Sequence, residues 1–419
     1  MQKKDLLIIF SVAMLIRVLF LFHPYETGDS KEYRVLASNL IKYSSFTYSS
    51  QPPISPTTHR TPVFPGFIAL IYLIFGMNDN FIYATQAIIS AITCLVVYFI
   101  ALDLFSRKVA FWSAIAVALH PFMSWFVNTS MPETLFAFLL LVAIFSLSRA
   151  IKLNSNWLFF LGGILLGISA LCRPTTKFMF LWIIFIFLFI YRNKKIFLKY
   201  TVIFSIGFFL SVLPWCLRHY IVTKQVIFIT SQGPDNLYLA SLPGNVFDDV
   251  TQYDFSVGGS RDPLIMRAML SEANDSELRQ VKKEMWKKII ANISANPLAY
   301  IGNRTKCEFF LWAGSNYIIS TNFSEARSRR LYGVLILKSF IVIFLHILPI
   351  CMYFFAGWLL KKDWRKYLIV YSVPLYFAIL HFPIHIEMRY SMPAYPYILI
   401  FCIYVIQKTI ENKSTLPKI

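Results

Sequence analysis

The sequence predicts a polytopic, all-α membrane protein, and three observations support that fold class. The 419 residues are 57% hydrophobic and 17% aromatic, with a mean hydropathy of +0.59, whereas soluble domains are about 45–50% apolar. Apolar runs of roughly 17–25 residues recur, and each is long enough to cross a hydrocarbon core of about 30 Å. No segment shows the alternating pattern of a membrane barrel strand, so helices must satisfy the backbone hydrogen bonds in lipid.

The composition also excludes several function classes. A formal net charge of +19 would suggest a nucleic-acid partner for a soluble protein, but here the basic residues at the ends of apolar runs orient the chain. We therefore expect no nucleic-acid partner, while the same charge favours anionic lipid substrates. The six cysteines lie mostly in apolar runs and form no CxxC pair, so we expect neither a disulfide framework nor a zinc site.

The N-terminal apolar run, Leu6–Phe22, is predicted to be the first membrane span. Lys3 and Lys4 precede it, which favours a cytoplasmic start. No small-residue cleavage site follows it, so we interpret it as an uncleaved signal-anchor. The polar stretch His23–Thr61 then lies outside. Within that stretch, Ser30–Lys42 has apolar residues at helical spacing, which predicts a short amphipathic helix on the outer membrane surface.

The next apolar run, Pro62–Phe75, is short and carries Pro65 and Gly66 near its start. If it crossed the bilayer, the later basic loops would face outward and conflict with the N-terminus. We therefore interpret it as a re-entrant or juxtamembrane segment, which leaves about ten spans with both termini inside. The later spans are predicted at Phe81–Phe105, Val109–Val127, Thr134–Arg149, Trp157–Cys172, Phe178–Tyr191, Tyr200–Leu217, Leu331–Leu360, Tyr367–Phe382 and Pro393–Gln407.

One long hydrophilic segment, Arg218–Arg330, is predicted to form a small, α-rich extracytoplasmic cap. Val226–Thr230 has the pattern of a short strand, and Pro243-Gly244-Asn245 is a turn signal. Helices are expected over Glu272–Ile290 and Ala299–Trp312. The chain thus divides into an N-terminal membrane module at 1–217 with a first outer loop at 23–80, the cap at 218–330, and C-terminal membrane helices at 331–419.

Polar residues at the outer ends of the spans are the candidates for function, because charge near lipid is costly and usually functional. Arginine binds phosphate through paired hydrogen bonds, and a carboxylate can take the proton of an attacking hydroxyl. Arginine also stabilises a leaving phosphate, so this set of side chains suits sugar transfer from a lipid phosphate. The candidates are Asp29 as the base, with Tyr33, His59, Arg60, Glu133, Arg173, Glu387 and Arg389 as substrate contacts.

Several candidates also have a structural interpretation that the sequence leaves open. Asp29 is either the base or the cap of the helix that follows it. Glu133 is either a substrate contact or a first-turn acid favoured by the helix dipole, and Arg173 either binds phosphate or anchors at the interface. Three glycines of the fifth span are interpreted as helix-packing positions, because no strand precedes them as in a nucleotide loop: Gly162, Gly163 and Gly167.

The order of motifs in the chain adds a second line of reasoning. The motifs are Gly28-Asp-Ser-Lys-Glu-Tyr33, Arg60-Thr-Pro-Val-Phe-Pro-Gly66, Glu133 after Pro121, Cys172-Arg-Pro174 after two glycines, and Glu387-Met-Arg-Tyr390. This order resembles that of GT-C-fold glycosyltransferases, in particular the bacterial relatives of dolichyl-phosphate-mannose protein mannosyltransferases and of the aminoarabinose transferase that modifies lipid A. The resemblance covers most of the membrane part and fades in Arg218–Arg330.

The resemblance implies a polyprenyl- or dolichyl-phosphate sugar donor, an inverting transfer on the outer face and a catalytic carboxylate that maps onto Asp29. The family often has a second acid near the connection where Glu133 lies. Protein mannosyltransferases show adjacent acids where this chain has Gly-Asp, and Glu32 is expected on a different face of the helix, which argues against protein mannosylation. No DxD-type pair is present, so we expect neither a metal nor a cofactor.

The sequence therefore predicts a hexosyl- or pentosyl-type glycosyltransferase of a bacterial inner membrane, with its active site on the extracytoplasmic side. Its expected partners are an undecaprenyl-phosphate-type sugar donor and a glycan, lipid or protein acceptor. Two alternatives remain open. A transporter or lipid flippase would place charges near mid-bilayer and often show inverted repeats. An O-antigen ligase or polymerase would use a diphosphate donor.

Overall fold

The structure is a computed structural model that describes residues 2–22, 24, 26–242, 253–254, 259–260, 263–270, 275–313 and 342–414. Three features of the sequence prediction lie outside these ranges, namely His23, the Pro243-Gly244-Asn245 turn and the first part of the predicted Leu331–Leu360 span. The described helices are α1 Gln2–Leu21, α2 Gly28–Tyr43, α3 Val63–Phe75, α4 Asp79–Leu104, α5 Arg107–Leu119, α6 Pro121–Trp125, α7 Glu133–Leu153, α8 Asn156–Cys172, α9 Met179–Ile190, α10 Lys194–Thr223, α11 Pro234–Ser241, α12 Pro263–Leu270, α13 Asp275–Ala295, α14 Pro297–Ala313, α15 Leu348–Leu359, α16 Trp364–His381 and α17 Tyr395–Ser414. The fold class is all-α, as predicted.

A buried arginine joins α1, α4 and α5. Arg17 of α1 has no exposed surface, and it donates hydrogen bonds to Ser90 Oγ of α4 at 3.0 Å and to the Ala118 carbonyl near the end of α5. Pro121 lacks an N–H for the helix ladder, and α5 meets the helical turn Pro121–Asn128 at an angle of 56°. Arg17 thus satisfies a carbonyl that this break leaves without a helical partner.

The glycines of α8 allow its backbone to approach α10 directly. A Cβ at Gly163 would lie 2.1 Å from the Phe204 carbonyl, and a Cβ at Gly207 of α10 would lie 2.2 Å from the Phe160 carbonyl. Small residues on facing helices are the usual means of close helix packing in lipid. The interpretation of Gly163 as a helix-packing position is therefore confirmed.

The outer loop between the first two long helices contains α2 and α3, which pack on one another. The apolar face of α2 is buried at Tyr33, Leu36 and Ala37. α3 has 13 residues, which span about 20 Å at 1.5 Å per residue, less than the hydrocarbon thickness of about 30 Å. The bounds of α2 and α3 agree with the two segments that the sequence predicts here.

Length and composition identify fewer crossing helices than the ten predicted. Within the described ranges, four helices are long and apolar enough to cross a membrane, and the bent pair Arg107–Leu119 and Pro121–Asn128 makes a fifth if it is one span. Three of the other predicted spans correspond to shorter apolar helices, at Asn156–Cys172, Pro174–Ile190 and Ile343–Leu359, and the count of ten is not confirmed. The four are Asp79–Leu104, Glu133–Leu153, Lys194–Thr223 and Met392–Asn412.

The segment after α10 forms a small helical unit over the end of the helix bundle that carries the predicted site residues. α11, α12 and α13 share a hydrophobic cluster of their own that includes Tyr238, Leu264 and Val281. The predicted helices here are present as α13 and α14, and Tyr253–Asp254 pairs with Gly259–Ser260 as a two-residue antiparallel ladder.

The strand predicted at Val226–Thr230 is wrong. These residues are in no strand, because their carbonyl groups interact with side chains and not with a second strand. Trp215 Nε1 donates to the Ile229 carbonyl at 3.0 Å, and His219 Nδ1 lies 3.2 Å from the Ile227 carbonyl.

Candidate active site

The N-terminus of α2 places Asp29 in the first turn of a capped helix. Thr27 is the cap: its hydroxyl accepts from the Ser30 amide at 3.1 Å, and Ser30 Oγ accepts from the Thr27 amide at 3.1 Å. This reciprocal pair is a capping box. The alternative in which Asp29 caps the helix is thereby excluded, and its carboxylate is free to serve another purpose.

Both carboxylate oxygens of Asp29 bind arginine. Arg60 Nη2 donates to Oδ1 at 2.6 Å, and Arg389 Nη2 donates to Oδ2 at 2.8 Å. Arg60 follows α2 in the outer loop, which Thr61 ties to the end of α8 by donating to the Cys172 carbonyl at 3.0 Å. Asp29 therefore bridges two guanidinium groups that come from opposite ends of the chain.

A second ion pair lies beside the first and is more deeply buried. Glu133 opens α7 and Arg173 follows α8, and these two helices pack along their length. Arg173 Nη1 donates to Glu133 Oε1 at 2.7 Å, and Arg389 Nε lies 3.7 Å from the same oxygen. The Glu133 side chain has no exposed surface, and its Oε2 has no hydrogen-bond partner among the described residues.

The loop before α17 carries the third part of the cluster. Glu387 Oε1 accepts from Arg389 Nη2 at 2.7 Å and from the Tyr390 hydroxyl at 3.0 Å. The ring of Tyr390 lies 4.7 Å from the Arg173 guanidinium, a cation–π distance. Glu387 is the most exposed acid of the cluster, with 40% of its side chain accessible.

Charge pairing controls the protonation state of Asp29. Burial alone would raise the pKa of its carboxyl, but the guanidinium groups of Arg60 and Arg389 hold that pKa well below its ordinary value. Burial would likewise lower the pKa of both arginines, whereas the acids beside them raise it well above the ordinary value. All three groups are therefore charged at physiological pH.

The structure brings most of the predicted site residues together. Asp29, Arg60, Glu133, Arg173, Glu387 and Arg389 form one connected cluster of ion pairs. Tyr33 joins it, because its ring lies 5.1 Å from the Arg60 guanidinium and Arg60 Nη1 lies 3.4 Å from its hydroxyl. His59 contacts the cap segment instead: its Nε2 lies 2.6 Å from Gln232 Nε2.

The placement of Glu32 on a different helix face from Asp29 is wrong. Glu32 Oε2 accepts from Arg60 at 2.7 and 2.9 Å, so both acids share one arginine. The spacing i, i+3 puts two residues on the same helix face, and that signal was present in the sequence.

Two tyrosines of the site were not predicted from the sequence. Tyr48 donates to Glu32 Oε2 at 3.3 Å, and Tyr390 links Glu387 to Arg173. In the sequence, the position of Tyr390 next to the predicted site residue Arg389 was the signal that could have indicated it. No local pattern distinguishes Tyr48 from the other tyrosines of the chain. Within the described ranges, no three His, Cys, Asp or Glu side chains are grouped to hold a metal ion.

A family model matches the first half of the membrane part. Residues 59–216 match the model described as dolichyl-phosphate-mannose-protein mannosyltransferase. This range includes Arg60, Glu133 and Arg173, whereas Asp29 lies before it. No curated protein sequence matches the chain.

Two solved structures of one oligosaccharyltransferase share the fold across nearly the whole chain. The archaeal oligosaccharyltransferase AglB from Archaeoglobus fulgidus, in complex with an inhibitory peptide and a dolichol-phosphate, has a TM-score of 0.56 at 12% identity, covering 100% of this chain and 53% of its own. The same oligosaccharyltransferase tethered with an acceptor peptide has a TM-score of 0.55 at 13% identity, covering 97% and 50%. ArnT from Cupriavidus metallidurans bound to undecaprenyl phosphate has a TM-score of 0.49 at 10% identity, covering 97% and 79%.

The chain spans about half the length of the oligosaccharyltransferase structures. Its likeness to them shows that the chain has the GT-C fold of multi-pass membrane proteins, and the family model covers residues 59–216 of it.

Proposed function

We propose that this chain is a glycosyltransferase that moves a sugar from a polyprenyl-phosphate donor to an acceptor on the extracytoplasmic face of the membrane. The donor is of undecaprenyl-phosphate type, the membrane is a bacterial inner membrane, and the anomeric centre inverts. The observation that carries the proposal is the bridged carboxylate: Asp29 lies between Arg60 and Arg389 at 2.6 and 2.8 Å, beside the buried pair of Glu133 and Arg173.

The donor phosphate is proposed to bind at Arg389. The guanidinium groups of the cluster already have acid partners, so an incoming phosphate has to replace one of them. Glu387 is the easiest acid to displace, because 40% of its side chain is exposed and its partner Arg389 is only 16% exposed. A phosphate that takes the place of Glu387 keeps the charge-assisted hydrogen bonds of Arg389.

This exchange also accounts for how Asp29 acts as a base. A carboxylate with a strongly lowered pKa is a poor proton acceptor, and Arg60 and Arg389 lower the pKa of Asp29. Phosphate bound to Arg389 weakens the hold of that arginine on Asp29 and so raises the basicity of the carboxylate. Binding of the donor thereby increases the basicity of Asp29, the base that the sugar transfer requires.

The reaction proposed for this arrangement is a single displacement. The acceptor hydroxyl gives its proton to Asp29 while its oxygen forms a bond to the anomeric carbon. The bond from that carbon to the phosphate oxygen breaks, and the polyprenyl phosphate leaves with the bonding electrons. Arg389 and Arg60 stabilise the negative charge that develops on the leaving phosphate.

The proposal is tested with Asp29→Asn in a transfer assay with purified lipid-phosphate donor. We expect transfer to fall by about 10²–10⁴-fold, the usual contribution of a general base, while donor binding persists because the arginines remain. Glu26→Gln is the matched control: Glu26 lies just before α2, is about half exposed, and pairs with Lys31 and Arg34 rather than with this cluster.

Two outcomes would contradict the proposal. Near-normal transfer by correctly inserted Asp29→Asn protein would remove Asp29 as the base. Release of a lipid diphosphate rather than a lipid monophosphate during transfer would favour the ligase or polymerase alternative.

A further inference from the structure

A second site lies at the end of the helix bundle opposite to the acids. α4, α7 and α8 diverge there around an open cavity of about 670 Å³, a volume within the range of about 300–1,000 Å³ of ligand pockets. Its walls are mostly apolar and include Phe99 of α4, Phe145 of α7, and Leu161 and Leu165 of α8. Because the cavity opens to the surface of the bundle and its walls are apolar, an apolar chain can enter it and cover them.

The mouth of the cavity carries a surplus of positive charge. Arg149 Nη1 donates to both oxygens of Asp103, at 2.8 and 3.1 Å, and Lys152 Nζ donates to Oδ1 of the same carboxylate at 3.3 Å. Two cations thus share one acid. Nε and Nη2 of Arg149 have no partner among the described residues, and 40% of the Arg149 side chain is exposed.

This charge has the geometry to bind a phosphate. Arginine binds phosphate oxygens through two parallel N–H donors, and Arg149 has an unused pair of them beside the cavity. The Lys152 side chain is 54% exposed, and its ammonium contacts the same Asp103 oxygen as Arg149 does. An anion that binds both groups neutralises the excess charge and leaves the ion pairs with Asp103 intact.

The cavity is distinct from the proposed catalytic cluster. Glu133 opens α7 and Arg149 lies near its other end, and the 1.5 Å rise per residue separates the two by about 24 Å along the helix. That distance is most of the thickness of a hydrocarbon core. The two sites therefore face opposite surfaces of the membrane.

We propose that this cavity binds an anionic phospholipid of the surrounding bilayer, with one acyl chain between α4, α7 and α8 and its phosphate on Arg149 and Lys152. The occupant is a lipid because the apolar walls continue to a charged mouth at the membrane surface, and its headgroup is anionic because the mouth has net positive charge. The inference goes beyond the proposed transfer reaction and does not depend on it.

The test compares lipids on the purified full chain by native mass spectrometry, with phosphatidylglycerol and phosphatidylcholine of identical acyl chains. We expect the wild type to retain phosphatidylglycerol in preference, and the double variant Arg149→Gln, Lys152→Gln to lose that preference. Each basic residue near a membrane surface contributes roughly fivefold to the binding of an anionic lipid. Arg149 lines the cavity and Lys152 pairs with the lining residue Asp103. The control Lys194→Gln, Lys195→Gln changes basic residues at the start of α10 that neither line the cavity nor form an ion pair with Asp103 among the described residues, and it should keep the preference.

A second measurement keeps the test decisive if the double variant does not fold. Phosphatidylglycerol with a photoreactive acyl chain is cross-linked to the wild-type protein, and the expected labels lie in the α7 and α8 peptides that contain Phe145 and Leu161. Labelling only outside these peptides would overturn the proposal. So would equal retention of the two lipids by the wild type, or an unchanged preference in the double variant.

Discussion

At the residue scale, the pair of Glu133 and Arg173 shows how an acid at a helix start becomes part of a site. Glu133 is the first residue of α7, where the helix dipole favours an acid, and the same carboxylate binds Arg173 at 2.7 Å. The two interpretations that the sequence left open for Glu133 are therefore compatible. Full burial makes the pair sensitive to the loss of either charge.

Glu133→Gln is expected to destabilise the protein, because the amide leaves the buried Arg173 guanidinium without a counter-ion. The free energy of unfolding should fall by about 3–5 kcal/mol, the usual effect of breaking a buried pair, measured as a lower thermal midpoint in detergent. Glu284→Gln is the control. It breaks an exposed pair with Arg267 at 3.1 Å, for which about 0–1 kcal/mol is expected. Equal shifts in the two variants would argue against a structural role for the Glu133 pair.

At the element scale, the close contact of α8 with α10 depends on glycines, which have no side chain at the contact. The Cβ of an alanine at position 163 would meet the Phe204 carbonyl at 2.1 Å and the Phe208 amide nitrogen at 2.9 Å. These are backbone atoms, so relief requires that one helix moves. The distance between α8 and α10 is thus set by the smallest residue.

Gly163→Ala is expected to lower the free energy of unfolding by about 1–3 kcal/mol through overpacking. Gly302→Ala is the control, since a Cβ there meets nothing within 4 Å, and alanine favours a helix over glycine by up to about 1 kcal/mol. The thermal midpoint of unfolding should therefore fall for Gly163→Ala and rise for Gly302→Ala. A neutral Gly163→Ala would show that α8 and α10 are not held at this distance.

The cap helix α14 holds the loop that carries Glu387 and Arg389. Arg304 Nη1 donates to the Ile384 carbonyl at 3.0 Å, and the Tyr300 hydroxyl donates to the Pro383 carbonyl at 2.7 Å. Arg304 is only 2% exposed. The position of Arg389 against Asp29 therefore depends on contacts made five and six residues earlier in the loop.

Arg304→Met is expected to reduce transfer through the misplacement of Arg389, by about tenfold, which corresponds to about 1.4 kcal/mol. A double-mutant cycle separates this effect from general damage. In an Arg389→Lys background the further loss caused by Arg304→Met should be less than about twofold, since coupled residues are not additive. Full additivity would show that Arg304 acts elsewhere. Arg267→Met, which removes only an exposed pair on the cap, is the control.

At the scale of the whole molecule, charge is separated along the helix bundle. The ion-pair cluster lies where α7 begins and α8 ends, while Arg149 and Lys152 lie near the turn between these helices. Basic loops face the cytoplasm in helical membrane proteins, so we predict that this polarity orients the cluster outward. These basic ends contribute to the net charge of +19.

Reporter fusions test this orientation directly. Fusions after Asn154 and after Lys362 are expected to report a cytoplasmic location, because basic residues surround both positions. A fusion after Asn296, between α13 and α14, should report an external one. An external score after Lys362 would overturn the topology and with it the extracytoplasmic placement of the site.

The sequence by itself determined the fold class and most helix bounds, because hydropathy, helical period and the charge at the ends of apolar runs are local properties. It also named most of the side chains that the structure brings into one cluster. Asp29 and Arg60 lie within 31 positions of each other, and Asp29 and Arg389 are 360 apart. Only the tertiary structure decided that both arginines bind the same carboxylate. It also showed that Glu32 pairs with Arg60 and that Val226–Thr230 forms no strand. The loop before α17 is bound by the cap helix α14. The physical reason is the same in each case: ion pairs and strand pairing require a partner, and sequence position does not reveal which distant segment supplies it.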